Sequence, residues 1–159
     1  MNEKRRLLGM TLDELKGVAF EAGLPGYAAK QMADWLYKKK VTSIAAMTNI
    51  ASAKRALLEK NFEVGAVPPS DLMKSVDGTI KYLYPAGPGN FVESVYIPTE
   101  DRATLCVSSQ VGCKMNCLFC MTGKQGFTKN LSANEILNQI QSLPETEELT
   151  NIVFMGMGE

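Results

Sequence analysis

The sequence contains no histidine and no long apolar run. Without histidine, the chain lacks the most common general base and the most common metal ligand of proteins. Any metal site must therefore use thiolates or carboxylates, and any proton transfer must use Glu, Asp, Lys, Tyr or Cys. No apolar stretch approaches the roughly 20 residues that span a bilayer, and the basic N-terminus precedes amphipathic sequence. These absences predict a cytoplasmic protein with no membrane partner.

Cysteine is scarce and confined to one short segment. All four cysteines lie between Cys106 and Cys120. The disulfide framework of a small secreted domain usually spreads its cysteines so that they close long loops. Clustered cysteines in a cytosolic chain are more typical of metal binding or redox chemistry.

The last three cysteines form a C-x3-C-x2-C motif, Cys113-Lys-Met-Asn-Cys117-Leu-Phe-Cys120. Three thiolates on one loop can hold three corners of a [4Fe–4S] cluster and leave the fourth iron without a protein ligand. S-adenosylmethionine can chelate such an iron through its amino nitrogen and carboxylate oxygen, and electron transfer can then yield a 5′-deoxyadenosyl radical. The spacing favours this interpretation over a zinc ion on all four cysteines and over disulfide bonds.

Residues 1–62 have the periodicity of a compact helical domain. Thr11-x-x-Glu14 is a capping box that predicts a helix start, and Gly23 followed by Pro25 predicts its end. Apolar residues recur at helical spacing in three further segments. The predicted helices span 12–22, 27–39, 42–47 and 52–61.

Charge and composition separate this helical domain from the rest of the chain. Residues 1–60 hold 11 Lys and Arg against 6 Asp and Glu, whereas residues 61–159 hold 6 against 11. A basic module that binds RNA is one explanation, although on charge alone the solvation of basic helices is the stronger one. Residues 63–74, which include Pro68-Pro69, predict a linker.

After the linker, the periodicity changes from helical to strand-like. Asp77-Gly78 and Gly87-Pro-Gly-Asn90 are turn signals that bound a hairpin. A strand, the cysteine loop, a helix capped by Ser132-x-x-Glu135 and an apolar strand then predict a βαβ unit. Two parallel strands cannot bury both faces of a sheet, so we expect residues 75–159 to be the incomplete start of a larger domain. The predicted strands span 81–84, 91–97, 103–109 and 151–155, and the predicted helix spans 132–143.

The chain ends in a glycine-rich segment, Met155-Gly-Met-Gly-Glu159. Ligands bind at the carboxyl ends of parallel strands, where glycines allow the backbone to approach them closely. A glycine after a strand is more often only a turn, but this segment follows the cysteine loop by one βα unit. Gly156, Gly158 and Glu159 are therefore candidate cofactor-binding residues, with the carboxylate of Glu159 accepting a hydrogen bond from the ligand's amino group.

Several residue groups together carry a family resemblance that goes far beyond the cysteines. They are Ala29-Lys-Gln31, Trp35, Val92-Glu-Ser-Val-Tyr-Ile-Pro98, Arg102-Ala-Thr-Leu-Cys-Val-Ser-Ser-Gln-Val-Gly-Cys113, Phe119-Cys120, Gly126-Phe127, Asn130-Leu131, Glu135-Ile136 and Met155-Gly-Met-Gly-Glu159. With these residues, the sequence resembles the RlmN family of radical S-adenosylmethionine RNA methyltransferases over most of its length. The resemblance implies an α/β fold, in which a small helical accessory domain precedes a radical-SAM partial (β/α) barrel. The chain would be truncated after the second parallel strand of that barrel.

The resemblance also implies a reaction and a role for each candidate residue. The family methylates carbon 2 of an adenine in 23S ribosomal RNA, and some members also modify transfer RNA. A cysteine near the family's C-terminus carries the methyl group that is transferred. Cys113, Cys117 and Cys120 match the cluster ligands, and Glu93 matches the proton-transferring carboxylate. Cys106 matches the cysteine that resolves the protein–RNA adduct through a disulfide, and Gly158 and Glu159 match the start of the cofactor-binding set. Without the resemblance, Glu93 would be an exposed hairpin residue and Cys106 a buried strand thiol.

The methyl-carrying cysteine and the later strands are absent, so this chain alone is expected to be catalytically inactive. The implied partners are 23S rRNA, tRNA in some members, and an electron donor such as flavodoxin, with the protein a monomer. One alternative is the related enzyme that methylates carbon 8 of the same adenine, although Gly123-Lys-Gln-Gly-Phe127 favours the carbon-2 type. The others are a non-catalytic RNA-binding module with a zinc ion on all four cysteines and a helical binding domain with incidental cysteines.

Overall fold

The computed structural model describes residues 4–158, which form two compact units. The first unit extends to Ala66 and the second begins at Val67. No helix within residues 4–158 is both long enough and apolar enough to cross a membrane. Glu159, one of the candidate cofactor-binding residues, lies outside the described residues.

The first unit is the predicted helical domain. The capping box forms as expected, since the amide of Thr11 donates to Glu14 Oε2 at 2.6 Å and the amide of Glu14 donates to Thr11 Oγ1 at 3.3 Å. The second predicted helix changes character partway, because its second half is a π-helical turn, and the predicted helix 42–47 is a single 3-10 turn. The elements are β1 (Arg5–Arg6), α1 (Leu12–Glu21), α2 (Ala28–Ala33), the π turn (Asp34–Lys38), the 3-10 turn (Ile44–Ala46), α3 (Ser52–Asn61) and β2 (Phe62–Glu63).

The first unit extends beyond residue 62 because its last residues belong to its core. Strand β2 pairs in parallel with β1. The amide of Leu8 donates to Val64 O at 3.0 Å, and Val64 is only 3% exposed. The structure therefore places the end of this unit at Ala66 rather than at the predicted residue 62.

The second unit is built on a five-stranded sheet in the order β3-β4-β5-β6-β9. Strand β9 runs parallel to β6, and the other neighbours are antiparallel. A separate antiparallel pair, β7 and β8, flanks the cysteine loop. The elements are β3 (Asp71–Lys74), β4 (Ile80–Pro85), β5 (Phe91–Pro98), β6 (Ala103–Cys106), β7 (Gln110–Gly112), α4 (Met121–Lys124), β8 (Phe127–Asn130), α5 (Ala133–Gln141) and β9 (Asn151–Val153).

The predicted hairpin and the predicted βαβ unit both form, but several strand predictions differ from the structure. The strand predicted over 151–155 ends at Val153, and β8 was not predicted. Strand β3 lies inside the segment 63–74 that the sequence assigns to a linker. All four of its residues are exposed, so it lacks the alternation that marks a half-buried strand. The predicted strand 103–109 ends at Cys106, and the chain then leaves the main sheet to form β7.

Helix α5 covers one face of the five-stranded sheet. The buried residues of this face and of the helix side form a single core: Ile80, Tyr82, Tyr84, Val92, Tyr96, Ala103, Leu105, Leu131 and Leu143, with Ile136 and Ile140 packed against them. Because side chains alternate along a strand, the residues between these point to the opposite face of the sheet. That face carries the candidate residues Glu93 and Cys106.

A capping box also begins α5, and it involves a carboxylate with a lowered pKa. The amide of Ser132 donates to Glu135 Oε2 at 2.8 Å, and Lys129 Nζ lies 2.7 Å from Glu135 Oε1. Burial opposes ionisation of Glu135, but the hydrogen bonds from Lys129 and Ser132 outweigh it and lower the pKa below its ordinary value of 4.5. Glu135 therefore stabilises the start of α5 only when it is ionised.

We expect this cap to make stability pH-dependent. A carboxyl whose pKa is lower in the folded state stabilises the fold above its ordinary pKa and loses that contribution as pH falls through the folded-state value. The substitution Glu135→Gln should cost about 1 kcal/mol near neutral pH, the usual size of a capping contribution. It should also flatten the fall in unfolding free energy below pH 4.5, measured by urea titration. Glu100→Gln, which removes an exposed loop carboxylate of the same unit, is the control. Parallel profiles for wild type and Glu135→Gln would contradict the assignment.

Candidate cofactor and active site

The cysteine motif lies in a loop that is closed at its base. Strands β7 and β8 pair on either side of it, and the amide of Cys113 donates to Gly126 O at 3.1 Å. Gly112 has a φ of +75°, and a Cβ at this position would lie 1.7 Å from Gly126 O. Only glycine permits this contact between the two ends of the loop.

The three candidate ligands occupy this one loop but differ in exposure. Cys113 is buried at 8% exposure, whereas Cys117 and Cys120 are half-buried. The amide of Met115 donates to Cys113 Sγ at 3.4 Å, and the amide of Cys120 donates to Cys117 O at 3.1 Å. All four cysteines of the chain are free thiols, so the disulfide alternative does not describe this structure.

Cys120 lies where the backbone favours a thiolate. A hydrogen bond from the backbone amide of Gly123, with a smaller one from Thr122, lowers the pKa of the Cys120 thiol. A thiolate is the form of cysteine that binds iron and zinc. The short helix α4, which begins directly after Cys120, supplies these amides.

The donor set of the loop is the one that an iron–sulfur cluster uses. Such a cluster is held by cysteine thiolates, each bound to a different iron, and the loop supplies three cysteines. Residues 4–158 contain no group of three or more His, Cys, Asp or Glu side chains already placed to hold one metal ion.

The glycine-rich segment after β9 packs against the chain that leads into the cysteine loop. The amide of Gly156 donates to Val107 O at 3.1 Å, and Met157 O accepts from the amides of Ser109 at 2.9 Å and Gln110 at 3.1 Å. A Cβ at Gly156 would lie 2.7 Å from Val107 O. These glycines are therefore required by close packing within the chain, which is a different reason from the approach to a ligand that the sequence suggested.

Gly158 shows the same packing at the next turn of the segment. Its φ is +99°, and a Cβ there would lie 2.4 Å from Gln110 Cβ. Gln110 is only three residues before Cys113. The structure thus places Gly156 and Gly158 against residues 107–110, which lead into the cysteine loop. Glu159 lies outside the described residues.

Glu93 and Cys106 share the sheet face opposite the helix. Cys106 lies opposite Val95 in the β5–β6 ladder, and Glu93 is two residues from Val95 on the same side of β5. Lys81 Nζ lies 3.0 Å from Glu93 Oε1, with both side chains a little under half exposed. The predicted carboxylate and the predicted resolving thiol are therefore on adjacent strands of one surface.

Glu93, the helix after Cys120 and the glycine-rich segment all line one cavity of about 300 Å³. It lies between strands β4 and β5, helix α4 directly after Cys120, and the glycine-rich segment. Cys106 does not line it. The lining residues are Leu83, Phe91, Glu93, Met121, Thr122, Gln125 and Met157.

Two features of the site have no signal in the sequence. Lys81 is one of six lysine and arginine residues between 61 and 159. The strand register places it opposite Val95, and its ammonium group reaches diagonally to Glu93. Ser108 and Gln139 are fully buried, and the side-chain amide of Gln139 hydrogen-bonds to the backbone amide and carbonyl of Ser108. The sequence pattern alone assigns polar residues to the surface, so neither was predicted.

Comparison with solved structures identifies the class of protein. The chain matches the crystal structure of a radical SAM methyltransferase from Sphaerobacter thermophilus with a TM-score of 0.87 and 37% sequence identity. The match covers 98% of this chain and 47% of that one. The fold is thus that of the N-terminal part of a radical SAM methyltransferase, and the predicted α/β class and its truncation are confirmed.

Sequence comparison finds RlmN proteins as relatives of this chain. Residues 5–64 match the family model of the ribosomal RNA large subunit methyltransferase N-terminal domain. The chain is 81% identical to the probable dual-specificity RNA methyltransferase RlmN of Parabacteroides distasonis, over all of this chain and 46% of that protein. It is 45% identical to the dual-specificity RNA methyltransferase RlmN of Geotalea uraniireducens, over 99% of this chain and 46% of that protein. In sequence, the chain thus corresponds to the N-terminal portion of RlmN proteins.

The comparisons confirm the family resemblance and do not favour the alternatives. The chain spans about half the length of the curated relatives that it matches. Membership in a radical SAM methyltransferase family implies an iron–sulfur cluster and S-adenosylmethionine. A zinc-binding module without enzymatic activity is not favoured, because the relatives are methyltransferases by name.

Proposed function

We propose that the full-length protein is a radical S-adenosylmethionine methyltransferase that modifies carbon 2 of an adenine in 23S rRNA, and of an adenine in tRNA. The observation that carries this proposal is the cavity beside Glu93. It is lined by a candidate acid–base carboxylate, by the helix that follows Cys120 and by Met157 of the glycine-rich segment. A base that entered this cavity would contact all three parts of the candidate site.

In this proposal, Cys113, Cys117 and Cys120 hold a [4Fe–4S] cluster and leave one iron for the cofactor. When bound, the cluster supplies the electron that activates S-adenosylmethionine. The amide hydrogen bond from Gly123, which lowers the pKa of the Cys120 thiol, supports a thiolate ligand at that position. Gly156, Gly158 and Glu159 begin the cofactor-binding set, and the packing of the two glycines on 107–110 holds this segment beside the loop.

Glu93 is the proposed proton acceptor. Carbon 2 of adenine must lose its hydrogen as a proton after the methyl carbon has been added, and a carboxylate within hydrogen-bond reach can take it. The ammonium group of Lys81 lies 3.0 Å from Glu93 Oε1 and restricts the orientation of the carboxylate.

Cys106 is the proposed resolving thiol. It would form a disulfide with the methyl-carrying cysteine of the family, which belongs to the C-terminal half and is not part of this chain, and thereby release the RNA. Its half-buried thiol lies on the same sheet face as Glu93, which supports this assignment. The first unit, which ends at Ala66, is proposed as the RNA-binding accessory domain, and the second unit, which begins at Val67, as the start of the radical SAM core. The protein is proposed to be a cytoplasmic monomer that receives electrons from a donor such as flavodoxin.

The test uses the full-length protein purified without oxygen. Iron and acid-labile sulfide should each reach about four per chain, and incubation with 23S rRNA, S-adenosylmethionine and a reductant should yield 2-methyladenine by mass spectrometry. Methylation at carbon 8 would instead assign the related resistance-type enzyme. Zinc without sulfide, or a loaded cluster without methyl transfer to RNA, would refute the proposal. Methyl transfer by the 159-residue chain alone would refute the expectation that this portion is inactive.

A further inference from the structure

Ser108 joins three segments that are far apart in the sequence. It is fully buried, and its hydroxyl donates to Glu93 O at 2.5 Å and accepts from the amide of Met157 at 2.8 Å. The side chain of Gln139 holds the backbone of Ser108, accepting from its amide at 2.9 Å and donating to its carbonyl at 3.0 Å. All polar atoms of Ser108 are therefore used, and they connect β5, α5 and the segment after β9.

The strand register explains why a side-chain hydroxyl is needed here. Val95 lies opposite Cys106 in the last pair of the β5–β6 ladder. If the pairing continued for two more residues, Ser108 would lie opposite Glu93. The ladder ends before that point, and the amide of Ser108 donates to Gln139 Oε1 instead. The hydroxyl replaces the missing backbone contact to Glu93 and at the same time receives the amide of Met157.

The glycine-rich segment depends on this hydroxyl more than on any other side chain described near it. The remaining hydrogen bonds between Gly156–Met157 and residues 107–110 are all backbone to backbone. The bond from the amide of Met157 to Ser108 Oγ is the exception. A substitution at Ser108 can therefore release the segment, while the neighbouring backbone pairing stays chemically intact.

We propose that Ser108 is a positioning residue that sets the glycine-rich segment at a fixed distance from Glu93, and so shapes the binding site for S-adenosylmethionine. The inference rests on the proposed function, because it names what one buried hydroxyl contributes to that site. Glu93 and Met157 line the same cavity, and Ser108 is bonded to the backbone of both. Its hydroxyl does not line the cavity, so it acts through these two residues rather than on the ligand.

The test measures binding of S-adenosylmethionine to full-length protein with its cluster, without reductant, by equilibrium dialysis. Ser108→Ala removes the hydroxyl partner of the part-buried amide of Met157 and of the carbonyl of Glu93, and we expect the Kd to rise about ten-fold. Iron content should stay at the wild-type level, because Ser108 is outside the loop of Cys113 to Cys120. Ser142→Ala is the control, since it removes a hydroxyl that bonds to Asn138 O at 2.6 Å and to the side chain of Tyr84. Neither of these partners lines the cavity.

Each outcome decides one question. If wild-type protein with a loaded cluster does not bind S-adenosylmethionine, the proposed function fails and this inference fails with it. If wild type binds and Ser108→Ala binds equally well, only the inference is overturned. Should Ser108→Ala fail to fold, Ser108→Thr, which keeps the hydroxyl, provides the decision: wild-type affinity supports the positioning role, and weakened affinity in a folded Ser108→Thr protein overturns it.

Discussion

Replacing Cys120 with alanine in the full-length protein should reduce its iron from about four atoms per chain to nearly none, and should abolish methyl transfer. The amide of Gly123 lowers the pKa of the Cys120 thiol and so favours the thiolate that binds iron. Without Cys120, the loop retains two cysteines, which are too few to hold the cluster against oxygen and chelators. Iron and acid-labile sulfide, measured on protein purified without oxygen, give the result before any activity assay.

Cys106→Ala is the matched control for this prediction. Cys106 lies on β6 and pairs with Val95 and Val153, outside the closed loop that carries the other cysteines. Its removal should leave iron and sulfide at wild-type levels while turnover is lost, because the adduct with RNA is no longer resolved. If Cys106→Ala lost its metal together with Cys120→Ala, the four cysteines would act as one set and the zinc site would be the better explanation.

The parts of the fold that were predicted from sequence are those with a local signal. Capping boxes at Thr11 and Ser132 mark helix starts that the structure reproduces. Strand β3 was missed because its residues are all exposed and lack alternation. The apolar strand predicted over 151–155 forms only over Asn151–Val153, and Ile152 is 41% exposed. Burial depends on partner elements, and the described residues offer no further layer to cover this strand.

The candidate site divides in the same way. The cysteine motif and the glycine-rich segment could be found in the sequence, because few functions require clustered thiols or glycines directly after a strand. The Lys81–Glu93 contact and the hydroxyl of Ser108 depend on which strands are neighbours and on where a ladder ends. Register of that kind follows from tertiary packing, so it became known only from the structure.

Gly112→Ala should be among the most damaging single substitutions in the second unit. The new methyl group would meet Gly126 O at 1.7 Å, and the residue would have to keep a φ of +75°. Left-handed backbone costs about 1–2 kcal/mol for a residue with a Cβ, and forced displacement of packed groups adds about 1–3 kcal/mol. The base of the cysteine loop should therefore open, with faster hydrogen exchange at Cys113 and loss of most of the iron.

Gly126→Ala separates backbone strain from this steric conflict. Gly126 has almost the same φ, +77°, but a Cβ there would meet nothing within 4 Å. It should cost only the left-handed strain of about 1–2 kcal/mol and should retain its iron. The difference between the two variants therefore measures the contact of Gly112 with Gly126 O, the point at which the loop is closed. If both variants kept their iron, the cluster would not depend on closure of the loop at this point.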